Sequence, residues 1–173
     1  MKILREGKLW LLVVLGAATQ LVPFSSDAPV KWLLFVGEFH PLFVHFPLGL
    51  WAATVLILWV GFRSPALVIE PWLRGGTVAS FWSGILAFLT GLVLYLSGTY
   101  GDEILLHMYA AWVFLLSLFI FEYVLEKGVG MKKMGWLALA VSGVLGYAGH
   151  LGGVITHGDF LESLPWEVQA AVE

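Results

Sequence analysis

Long apolar runs with almost no charge inside them constrain this chain more than any other feature. Residues 42–62, 76–97, 104–125 and 134–155 are four such runs. A helix rises about 1.5 Å per residue, so ~20 residues cross the ~30 Å hydrocarbon layer of a bilayer. Inside lipid a chain must satisfy its own backbone polar groups, and runs of this length do so as helices. A fifth and shorter run, 9–24, follows a basic N-terminal segment. The punctuation between runs is short and polar: Arg63-Ser64-Pro65, Arg74-Gly75-Gly76, Gly101-Asp102-Glu103 and Met131-Lys132-Lys133. These connections leave no room for a second folded domain. No sequence repeat or low-complexity tract is visible.

Composition agrees with that reading. The chain is 60% hydrophobic and 12% charged, where soluble domains run near ~45–50% and ~25%. Its mean hydropathy is +0.89. A soluble enzyme, a disordered chain and a nucleic-acid binder are excluded. There is no cysteine, which excludes disulfides, Cys-ligated zinc, iron–sulfur clusters and the covalent attachment of c-type haem. The expected fold is an all-α integral membrane protein of five transmembrane helices, the last four forming a four-helix bundle. Residues 1–27 read as an N-terminal anchor, a signal-like helix that is retained, because cleavage after Ala28 would leave Pro29 first. Residues 28–164 read as the bundle and 165–173 as a short outer-side tail.

Lys and Arg set the direction of insertion. With the N-terminus cytoplasmic, Lys2, Arg5, Lys8, Arg63, Arg74, Lys127, Lys132 and Lys133 fall inside, and Lys31 alone falls outside. The expected location is the bacterial inner membrane, with a periplasmic C-terminus.

On that topology all five histidines, His40, His45, His107, His150 and His157, lie at the outer ends of helices. Depth counted along the helices puts His45, His107 and His150 at one level, about a turn inside the span, and His40 and His157 above them. Pro41 marks His40 as a helix-start residue, and Gly158 is expected to end the last helix after His157. Ionisable residues at membrane depth are costly unless used, and residues converging from several helices are how bundles build cofactor sites.

Three uses remain open. The first is haem b, one or two, with any two of His45, His107 and His150 as the expected axial ligands and His40 and His157 contacting the propionates, supporting the ligands or serving a second haem. Gly146, Gly149 and Gly153 belong to a glycine-rich stripe on the last helix that would let a flat ring approach, although close helix packing explains such a stripe equally well. The second is copper or zinc on His45, His107 and His150. The third is hydrogen bonding between helices with no cofactor. Glu122, near the inner surface, reads as an interfacial residue.

Three segments together carry a resemblance: His40-Pro41-Leu42-Phe43-Val44-His45-Phe46-Pro47, Gly101-Asp102-Glu103-Ile104-Leu105-Leu106-His107, and Gly149-His150-Leu151-Gly152-Gly153-Val154-Ile155-Thr156-His157-Gly158. In them the chain resembles the bacterial membrane family called domain of unknown function 2231, over roughly residues 38–164. The resemblance implies a four-helix membrane module, sometimes joined to cytochrome c domains, and hence a redox setting. Its motif histidines fall on His40, His45, His107, His150 and His157. The expected function is b-type cytochrome-like electron transfer, by a non-enzymatic subunit, between a membrane donor and a periplasmic c-type cytochrome. Quinone is one candidate donor. Expected partners are the lipid bilayer and other membrane subunits, with no nucleic acid. The alternative is a cofactor-free accessory subunit of a respiratory or photosynthetic complex.

Overall fold

Connections of a few residues leave consecutive membrane-length helices no choice but to run antiparallel. The computed structural model describes residues 2–21, 31–96 and 103–157. They form six helices: α1 (Lys2–Leu21), α2 (Lys31–Gly37), α3 (His40–Arg63), α4 (Glu70–Leu96), α5 (Glu103–Glu126) and α6 (Met131–His157). There is no strand among the described residues. Among the described residues four spans are long and apolar enough to cross a membrane: 34–63, 70–96, 104–126 and 131–156. The tail, 165–173, lies outside the described residues.

The four spanning helices form a ring, α3 against α4, α4 against α5, α5 against α6 and α6 against α3. One end of the ring carries the turns after Arg63 and Glu126. The second of these turns closes on Gly128 at φ 64°, the left-handed cap that glycine adopts without steric cost. The other end carries the starts of α3 and α5 and the finish of α6. As Pro41 foretold, α3 begins at His40. The short α2 was not legible in the sequence. Its last residue, Gly37, sits so close to α4 that an added Cβ would lie 2.7 Å from the Leu94 backbone.

The core is apolar along its length, with Trp51, Phe81, Leu118, Phe121 and Val141 at 2% exposure or less. Trp51 meets Phe121 edge to face at 5.1 Å and donates from Nε1 to Ser142 Oγ at 3.0 Å, linking α3 to α6. Thr77, Ser80 and Ser142 donate back to the carbonyl one turn earlier. No buried side-chain N or O among the described residues lacks a partner.

The outer surface carries large apolar side chains, among them Trp59, Trp72, Trp82 and Trp136, each about half exposed or more. In water such a surface would aggregate, whereas in lipid it is the ordinary exterior.

α1 is attached by specific contacts. Trp112 Nε1 on α5 donates to the Leu12 carbonyl at 2.8 Å, and its indole fills the space above Gly16. Lys8 Nζ reaches Glu122 at 2.6 Å, with side chains only 9% and 13% exposed. Glu122 is therefore a docking partner for α1 and not a solvated interfacial residue. Removing one member of such a buried pair leaves the other charge uncompensated and costs about 3–5 kcal/mol, whereas replacing both with apolar groups is often neutral. Glu122→Ala should destabilise the protein by that amount, and the Lys8→Met/Glu122→Leu double variant should recover most of it, as read by unfolding titrations in mixed micelles.

Candidate functional site

Two histidines from diagonally opposed helices face each other inside the bundle. The rings of His40, at the start of α3, and His107, in the first turns of α5, are 6.1 Å apart between centroids and inclined at 81°. Both are partly buried.

Each ring is held in the same way. His40 Nδ1 lies 2.9 Å from the Ala87 carbonyl on α4. His107 Nδ1 lies 2.9 Å from the Ala148 carbonyl on α6. A carbonyl can only accept, so each Nδ1 is the protonated donor and each Nε2 carries the lone pair. One turn beyond each carbonyl stands a glycine. A Cβ on Gly91 would lie 2.9 Å from His40 Cε1, and one on Gly152 would lie 3.0 Å from His107 Cε1. A histidine, a helix carbonyl and a glycine one turn later thus make a half-site that occurs twice. Thr90 Oγ1 joins the first, donating to the same Ala87 carbonyl at 2.9 Å.

A cavity of about 370 Å³ adjoins the pair, lined by His40, His107 and His45 with Pro41, Val44 and Leu48 of α3 and Gly149, Gly152, Gly153 and Thr156 of α6. Its volume lies within the ~300–1,000 Å³ range of small-molecule sites. It is mostly apolar, with the imidazoles as its principal polar groups.

The structure therefore brings together His40, His45, His107, Gly149 and Gly153 of the sequence-predicted residues. His45 is exposed on its helix, with Nδ1 donating to the Pro41 carbonyl at 2.6 Å. His150 is exposed and does not line the cavity. Gly146 does not line it either, and its Cβ position faces open space. The His157 side chain lies outside the described residues. No three of His, Asp and Glu come close enough to share a metal ion among the described residues, so His45, His107 and His150 do not meet. Gly152 belongs to the glycine stripe of the last helix; Gly91, Ala87 and Ala148 were missed as site residues, because an alanine carbonyl carries no signal in the sequence.

No family model, no curated protein and no solved structure matches the chain.

Methyl groups at the two glycines must push the imidazoles off their carbonyls. Gly91→Ala and Gly152→Ala should each lower stability by about 1–3 kcal/mol, as overpacking does. Gly143→Ala, which meets nothing within 4 Å, should be neutral. Thermal unfolding of the detergent-solubilised variants measures all three.

Proposed function

We propose that this protein is a b-type cytochrome-like electron-transfer subunit of a membrane, with His40 and His107 as the two axial ligands of a haem. The facing imidazole pair carries this reading. With Nδ1 committed to a backbone carbonyl, the free nitrogen on each ring is Nε2, and this is the arrangement that orients a metal-binding histidine and raises its basicity.

The donor count favours haem over a bare ion. Zinc and copper sites take three or four protein ligands, and no such group exists among the described residues. A haem supplies four nitrogens of its own and needs two from the protein. A haem held there would supply one-electron redox chemistry. The chain's own part is to hold both imidazoles neutral and oriented, to surround them with apolar side chains, and to keep water from the interior. With His40 and His107 both holding the group, it would suit electron transfer better than activation of an added ligand.

The finer elements of the reading rest on the sequence. Five membrane crossings, a cytoplasmic N-terminus and the histidines at the outer face follow from the charge bias. Electrons would pass between a membrane donor of the quinol kind and a c-type cytochrome, as the family resemblance implies.

The purified protein, reduced with dithionite, should show a sharp α band and a b-type pyridine haemochrome. His40→Ala and His107→Ala should each abolish the six-coordinate low-spin spectrum, and His150→Ala should retain it. A folded, colourless wild type expressed with ample haem would overturn the reading in favour of a cofactor-free accessory subunit.

A further inference from the structure

The half-site repeat extends through the whole interior. A second, smaller cavity of about 70 Å³ lies along the bundle axis beside the same histidine pair. Every residue lining it has a counterpart that also lines it, at a constant sequence separation. His40, Val44, Pro47 and Leu48 of α3 answer to His107, Ala111, Phe114 and Leu115 of α5. Gly84, Ala87 and Phe88 of α4 answer to Leu145, Ala148 and Gly149 of α6 at a second constant separation. The hairpins α3–α4 and α5–α6 are therefore equivalent units facing each other across an approximate two-fold axis.

That equivalence fails at one place. The exchange that takes α3 to α5 and α4 to α6 takes the α3–α6 seam to the α4–α5 seam. At the histidine end the first seam opens into the 370 Å³ cavity and the second holds about 30 Å³. The residues explain the difference. Gly149 and Gly153 on α6 correspond to Phe88 and Leu92 on α4. His45 and Thr156 at the open seam correspond to Trp112 and Tyr95 at the closed one. Small or polar side chains stand on one side and larger ones on the other, with Phe88 lining what remains of the closed seam.

We propose that the α3–α6 seam, and not its α4–α5 counterpart, is the seat and lateral entrance of a planar tetrapyrrole gripped between the two half-sites. This rests on the haem reading and adds to it a side and a route. The histidines are anchored at the α3–α4 and α5–α6 contacts, so a flat ligand between their rings extends along the line joining the two remaining seams. Only one of those has room. His45 and Thr156 at its mouth are the polar groups available to the carboxylates of such a ligand, and the glycines give its flat face access to the α6 backbone.

The test converts the open seam into a copy of the closed one. Cβ atoms at Gly149 and Gly153 meet nothing within 4 Å, so the Gly149→Phe/Gly153→Leu side chains start in open space beside the cavity that both residues line. Hemin and metal-free protoporphyrin are titrated into the full-length detergent-purified apoprotein, followed by absorbance and by porphyrin fluorescence. Binding of both probes should weaken about tenfold or more in the double variant, a loss of ~1.4 kcal/mol, with an unchanged elution profile and melting temperature. Gly146→Phe, on the same helix but off the cavity, should bind as the wild type does. If the double variant misfolds, Gly153→Leu alone serves, with the same direction expected. Wild-type affinity in the folded filled variants overturns the seam assignment and leaves the haem reading standing. Absence of hemin binding by the wild type overturns both.

Discussion

The two histidines inside this bundle depend on helix carbonyls that accept their ring protons. Helix carbonyls already bond the amide four residues on, and the side chain at that later position crowds the approach of any other donor. Where the later residue is glycine, the approach is clear. The Ala87–Gly91 and Ala148–Gly152 pairs provide that opening on α4 and α6, and the imidazoles of His40 and His107 occupy it. Losing the carbonyl would strand a ring nitrogen at low dielectric, at a cost of a few kcal/mol. Tautomer, ring orientation and the free Nε2 all follow from this one contact. So does the shape of the cavity, because the rings define its inner wall.

The rest of the bundle keeps that contact rigid. Buried hydroxyls on α4 and α6 fold back on their own helices, so none competes for the carbonyls that hold the histidines except Thr90, which shares one of them. At the far end, Lys8–Glu122 and Arg74–Glu126 pair at 2.6 Å each and tie α1 and α4 to α5. The molecule is therefore polarised along its length. Charge pairing stabilises one end and uncharged imidazoles occupy the other, with an apolar interior between them. An apolar interior flanked by large exposed aromatic side chains is what a chain dissolved in lipid requires.

Much of the fold was legible because span length and charge placement are local properties. The four spanning helices, the antiparallel order, the start of α3 at His40 and the reach of α6 to His157 could be read directly. The gathering of the histidines at one end was also legible, but counting residues along a helix fixed neither the level of each ring, since His40 meets His107 directly, nor which way a side chain faces. His40 and His45 are five residues apart, about 140° around a helix, so only one of them can point at the bundle axis. His150 lies midway between Ala148 and Gly152, on the far side of α6 from the face they share. Grouping histidines by level therefore joined His45, His107 and His150, whereas packing joined His40 with His107. The internal repeat was hidden for a related reason. Its recurrent elements are backbone atoms and the spaces above glycines, and the paired side chains are as unlike as Pro47 and Phe114 or Phe88 and Gly149.

By itself the sequence determined that this chain forms apolar helices, that its last four runs are long enough to span a membrane, and that its histidines gather at one end. Burial of backbone polarity and the length of each run suffice for that. Tertiary structure alone decided which two imidazoles face each other, which carbonyls hold them, and which seam of the bundle stays open. Those depend on helix rotation and on the volumes of side chains meeting from segments 40 or more residues apart, and no local pattern encodes either.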